Sequence, residues 1–126
     1  MGAISNYLEE KWLSETFVTK AVYLALFTSD PTDADSGVEL FGGGYQRQRI
    51  HFAAPIQVGG KGQIQNEQDA IFPQASTDLG KVTHFGIYDA ATKGNLLFHG
   101  ALTTPKTIET NDQLTFYAGN IKLSLD

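Results

Sequence analysis

The sequence predicts a mainly β protein, an antiparallel β-sandwich or barrel-like domain with one N-terminal α-helix against it. Three observations predict it. About seven to nine short apolar segments are separated by turns rich in Gly, Asn and Pro. Only the first twenty residues place apolar groups at helical spacing. The run Val82–Leu102 reads as two strands joined by a polar loop, with Gly94 and Asn95 able to adopt positive φ. All 126 residues are expected to form one domain, with the helix over 4–20 and strands and loops over 21–126.

In the helix, Asn6 is the expected cap and Glu9 stands three residues on, as in a capping box. Ile4, Leu8 and Trp12 follow i, i+4 spacing, and Leu13 and Phe17 widen the apolar side. That side is broad enough either to be buried in its own domain or to meet another subunit. Ala21–Thr28 reads as a strand apolar on both faces, and the arms Val82–Tyr88 and Leu96–Leu102 read the same way. Strands of that kind are central and covered on both sides. Tyr45–Phe52 alternates, with Tyr45, Arg47, Arg49 and His51 on one face. Ala54–Gly62 reads as loop, given Pro55 and its glycines. Gln63–Gln65, Ala70–Phe72 and Leu114–Tyr117 read as short strands, and Thr103-Thr104-Pro105 as an interruption. Ile121, Leu123 and Leu125 alternate with polar residues in a half-buried strand.

Composition excludes several function classes. No run of about 18 apolar residues exists to span a membrane. The N-terminus shows no basic region followed by an apolar core, so no signal peptide is expected. The chain has no cysteine, hence no disulfide and no thiolate metal site, in keeping with assembly in a reducing cytoplasm. Residues 1–40 carry seven acids and two lysines, which accounts for the whole net charge of −5. An acidic chain repels phosphate backbones, so nucleic acid is not an expected partner.

No motif amounts to an active site. Gly42-Gly43-Gly44 and Gly59-Gly60-Lys61-Gly62 lack the Gly-Lys-Ser/Thr and following helix of a phosphate loop. Asp33-x-Asp35-x-Gly37 resembles a calcium loop but has Gly44 at position twelve; an acidic surface loop is its ordinary reading. His84 and His99, on the two hairpin arms, make a conceivable metal trio with Asp89, yet no ligand spacing supports it. No nucleophile elbow or cysteine nucleophile is present. Catalytic, cofactor and metal residues are therefore not expected. Arg47 and Arg49 are the only arginines. They are either a solvent-facing row on an edge strand or a subunit contact, since Arg is enriched at interfaces.

The segments AISNYLEEKWL, YLALFTSDPTDADSGVELFGGGYQRQ and THFGIYDAATKGNLLFHGALTTPKTI together resemble a family of small tailed-bacteriophage virion structural proteins of tail-fibre or head-decoration type. Leu79 stands where such sequences often show Trp. The resemblance implies a non-enzymatic virion part assembled in the host cytoplasm, attached to head or tail and paired with copies of itself, a trimer among the forms considered. Leu8, Trp12, Phe17, Arg47 and Arg49 are the candidate subunit or partner contacts. The competing reading is a receptor- or glycan-binding module using Trp12, Tyr45, Tyr88 and Tyr117 as stacking surfaces.

Overall fold

A computed structural model describes residues 3–125. In chain order the elements are α1 (Asn6–Leu13), a π-helical turn (Ser14–Val18), β1 (Val22–Phe27), β2 (Gln48–Ile50), β3 (Ile56–Val58), β4 (Lys61–Gln65), β5 (Ala70–Ile71), β6 (Gly80–Tyr88), β7 (Leu96–Ile108), β8 (Thr115–Phe116) and β9 (Lys122–Leu125). The strands form open sheets in the orders β2-β1-β6-β7, β3-β4-β9 and β5-β8. The protein is therefore mainly β, with antiparallel pairing, one N-terminal helix and no closed barrel among the described residues. The chain forms two compact units. One holds the N-terminal segment to Ala21, Ile50–Asp69 and the chain from Phe116; the other holds Val22–Arg49 and Ala70–Thr115.

In the first unit the helix is shorter than 4–20. It is capped by Ser5, whose Oγ accepts from the Leu8 N–H at 3.2 Å; Asn6 is the first helical residue. After Leu13 the chain widens into the π-turn, closed by the Thr19 N–H on the Ser14 carbonyl at 3.0 Å. The buried stripe is Glu9, Leu13 and Phe17, one position on from the Leu8–Trp12 line. Glu9 is buried because its carboxylate accepts the Gly62 N–H at 3.1 Å. Gly62 makes that approach possible, since a Cβ there would stand 3.0 Å from the Glu9 Cβ and 3.3 Å from Leu13 Cδ1. Ala54–Gly62 is not a loop throughout. Gly59 (φ 58°) and Gly60 (φ 81°) form a two-residue turn between β3 and β4. Ile64, Ile121 and Leu123 fill the core beside Phe52, against which Phe17 packs edge-on. The buried Asn66 amide is satisfied locally: it donates to the Gln68 and Tyr117 carbonyls, and its Oδ1 accepts the Ile121 N–H.

In the second unit β6 is the inner strand, antiparallel to β1 and β7. Register places Leu24, Leu26, Phe85 and Ile87 on one face and Ala25, Phe27, His84, Gly86 and Tyr88 on the other. Gly86 leaves room for the apolar cluster on its face, as a Cβ there would lie 2.9 Å from Leu96 Cδ1 and 3.0 Å from Phe27 Cε1. β6 is central as expected, but β7 is an edge strand and only half-buried at its start. β7 also continues through Pro105. Ala101 pairs with His84 and Lys106 with Val82, so residues 102–105 bulge opposite Thr83. The expected interruption is thus a bulge, and a proline without an N–H is tolerated on an edge. Tyr45–Phe52 is regular only over Gln48–Ile50. Gly42, Gly43 and Gly44 all take positive φ and bend the chain before it.

Candidate functional site

The most organised polar cluster lies in the second unit around Arg47. Three segments converge on it: the bend carrying Glu39 and Tyr45, strand β6 ending at Tyr88, and the loop Asp89–Asn95. Arg47 grips Glu39 with both arms of its fork, Nε to Oε2 and Nη2 to Oε1, each at 2.9 Å. Nη1 donates to the carbonyls of Ala90 at 3.0 Å and Lys93 at 2.7 Å. The guanidinium carbon sits 3.7 Å from the centroid of the Tyr88 ring. The Tyr45 hydroxyl donates to Glu39 Oε2 at 2.6 Å and accepts the Leu26 N–H at 3.0 Å. Its ring stacks on Phe72.

The electrostatics follow from this packing. Burial, and then the hydrogen bond to Glu39, push the Tyr45 phenol well above its ordinary 10.0. Burial and the hydrogen bond to Asp35 do the same for Tyr88. Burial works against the charge of Arg47, but its hydrogen bonds to Glu39 and the Glu39 charge outweigh that and hold its pKa above the ordinary value. The Arg47 side chain is 8% exposed and that of Glu39 25%, so the pair is an internal one with water at its acidic end.

The loop Asp89–Asn95 is shaped to present its carbonyls. Asp89 accepts the Asn95 N–H at 2.7 Å and the Asn95 amide at 2.9 Å, which holds its carboxyl below the usual 3.8. Lys93 takes φ 56° and Gly94 φ 73°, turning the Lys93 carbonyl toward Arg47. Beside the cluster opens a groove of about 490 Å³, lined by Tyr45, Gln46, Arg47, Thr92 and Lys93, with Phe41 81% exposed at its rim.

The acidic loop before Glu39 is fastened to the same sheet. Tyr88 donates to Asp35, and His99 Nε2 lies 2.7 Å from Asp33 Oδ1, with Asp30 3.7 Å from its other nitrogen. The aspartates that suggested a calcium loop are thus engaged by side chains of β6 and β7. The three residues of the conceivable metal trio are apart in role: His84 pairs with Thr83, His99 with Asp33, and Asp89 with Asn95. Among the described residues no three His, Cys, Asp or Glu side chains are placed so that they could hold a metal ion together.

The five candidate contact residues fall into two classes. Phe17 is a core residue, and the Arg47 side chain is turned inward with only its margin on the groove. Leu8 is half-buried, Trp12 is exposed on α1, and Arg49 is exposed on β2. Arg47 and Arg49 do not form one outward row, because the regular alternation begins only at Gln48. Sequence reasoning missed Glu39 and the carbonyls of Ala90 and Lys93 as Arg47 partners. A signal for Glu39 was its place eight residues before Arg47 across a triple-glycine bend; backbone carbonyls leave no signal at all.

Fold and cluster together define a β-rich structural module whose best-organised polar groups hold its own loops. Residues 3–124 match the family model described as podophage GP4 fiber I protein gp80, and the chain belongs to that phage fibre family. It is accordingly a virion protein of fibre type, in agreement with the tailed-phage resemblance. No curated protein matches the chain at a significant level. No helix among the described residues is long and apolar enough to cross a membrane.

Proposed function

We propose that the chain is a non-enzymatic structural component of a phage fibre, working on the virion exterior by association with copies of itself and with a tail or head protein. The single observation that carries this reading is the fibre-family match over nearly the whole chain. The arrangement around Arg47 supports it. Four of the five guanidinium N–H groups, both Glu39 oxygens and the Tyr45 hydroxyl are engaged within the protein, so the cluster's polar groups hold one another and the neighbouring loop. Exposed apolar side chains such as Tyr7, Trp12, Ile56 and Val58 supply surface for assembly. No cofactor, membrane or nucleic acid enters this reading.

The test is quantitative mass spectrometry of purified particles. A dozen or fewer copies per particle place the protein on the tail, and hundreds place it on the head as a decoration protein. Its absence from particles refutes the proposal. One observation favours a second reading, a receptor- or glycan-binding module: Phe41 stands almost fully exposed beside the groove. Tyr88 is buried and Tyr45 is half-buried at the groove wall, so of the aromatic residues first considered Trp12 and Tyr117 are the exposed ones. Binding of host cells by the purified protein that is lost in Phe41→Ala would favour this second reading.

A further inference from the structure

Among the described residues, no strand pairs with the outer edge of the three-stranded sheet. β3 is its edge strand, three residues long, and all three are exposed. Natural edges are defended by charge, by proline within the strand or by a cover. Ile56-Gln57-Val58 carries no charge, and Pro55 lies just outside it. The hairpin geometry fixes which backbone groups face out. Val58 and Lys61 flank the two-residue Gly59-Gly60 turn and form its closing pair, so the N–H and C=O of Gln57 point away from β4. The side chains divide as well. The Gln57 amide donates to Glu10 on α1 at 2.9 Å, so Ile56 (54% exposed) and Val58 (45%) project from the opposite face.

We infer that β3 is a homodimerisation edge, pairing antiparallel with β3 of a second copy about a two-fold axis at Gln57. This rests on the self-association proposed above and names its surface. An edge with one outward donor and one outward acceptor on its middle residue is self-complementary under such an axis: each Gln57 N–H meets the other Gln57 C=O. Ile56 then stands opposite Val58 of the other copy, and the paired strand residues themselves carry no charge. The helices also fit. Both copies of α1 lie on the same face of the joined sheet, each above β4, which is held under Glu9 by Gly62. The two β4 strands are then three strand spacings apart, roughly 14 Å, against a helix diameter of roughly 10–12 Å. Tyr7, three residues before Glu10 on the flank turned toward β3, is 73% exposed and reaches into the space left between them.

The experiment is sedimentation equilibrium of the full chain over a wide concentration range, with Val58→Lys, Gln57→Pro and the far-edge control Ser124→Lys. Circular dichroism checks that each variant is folded. The expected result is a dimer for the wild type and the control, with at least a tenfold rise in the dissociation constant for a folded Val58→Lys. Hydrogen exchange gives a readout on the wild type itself: the Gln57 amide gains protection as concentration rises. A wild-type oligomer that Val58→Lys leaves intact, with a Gln57 amide unprotected at every concentration, overturns the edge assignment and leaves self-association standing. A wild type that stays monomeric throughout overturns both.

Discussion

Replacing Arg47 with alanine removes the guanidinium from a position where its side chain is 8% exposed. Four donated hydrogen bonds disappear, two to Glu39 and one each to the carbonyls of Ala90 and Lys93. The Tyr88 ring loses the cation above it. Breaking a buried ion pair by truncating one partner costs about 3–5 kcal/mol, because the surviving charge is left unmatched. Water reaches the Glu39 end, which is 25% exposed, so the lower figure of about 3 kcal/mol applies. For a chain of this length that corresponds to a fall in Tm of roughly 10 °C. Arg47→Lys keeps the charge but not the fork, and should lose about half as much. Arg49→Ala, exposed on β2, should stay within about 0.5 kcal/mol of wild type. Urea and thermal unfolding followed by circular dichroism measure all three. A drop of under about 2 °C for Arg47→Ala, or equal losses at Arg47 and Arg49, would refute the internal role assigned to Arg47.

Gly62→Ala drives a Cβ to 3.0 Å from Glu9 Cβ, so α1 must shift; a loss of about 1–3 kcal/mol in urea unfolding is expected, and a neutral result would mean the helix rides freely on β4. Tyr45 and Tyr88 have folded pKa values above their ordinary 10.0, so what they contribute to stability is complete below pH 10 and declines as pH climbs past it. Ultraviolet titration should therefore show Tyr45 and Tyr88 still un-ionised at about pH 11 until the protein unfolds. Asp89 has a depressed pKa from its hydrogen bonds with Asn95, so its contribution is present above its unfolded value near 3.8 and fades as pH falls below it. Asp89→Asn should flatten the acid limb of a Tm-against-pH curve below about pH 4, and an unchanged limb would count against the Asp89 hydrogen bonds.

Much of the fold could be read from the chain, because side-chain periodicity reports burial directly. Val22–Phe27, Lys122–Leu125 and the Val82–Tyr88 part of Gly80–Tyr88 lie where apolar runs or alternation placed strands. Other features were hidden for definable reasons. The helix stripe seemed to run through Leu8 and Trp12, since hydropathy gives no reason to bury Glu9; the reason is the Gly62 N–H, a backbone group from another element. The β3–β4 hairpin was obscured by Pro55 and its glycines, although Val58-Gly59-Gly60-Lys61 is itself a two-residue turn signature. Arg47 looked outward because alternation was extended back from Gln48 into a bend set by three glycines at positive φ. For Glu9 and Arg47 the deciding partner is a main-chain group or a chain reversal that residue-type patterns do not report, whereas the hairpin signature is present and is outweighed by Pro55.

The Arg47–Glu39 pair also raises the question of what a buried ion pair is for. Replacing such a pair by apolar residues of similar volume is often neutral or stabilising, so stability alone is a weak reason for it. What an apolar pair cannot do is hold two carbonyls of a neighbouring loop, as Nη1 does for Ala90 and Lys93. The pair should therefore matter more for the shape of the Asp89–Asn95 loop and the bend at Gly42–Gly44 than for folding. The double variant Arg47→Met with Glu39→Leu separates the two roles. Its global stability should lie above that of Arg47→Ala, because no unmatched charge remains, and below wild type, because the Tyr45 hydroxyl loses its Glu39 acceptor. Its amide exchange at residues 89–95 should nonetheless quicken, since Lys93 then holds φ 56° with no partner on its carbonyl. Equal loop protection in the double variant and the wild type would mean that Asp89 and Gly94 shape the loop without help from Arg47.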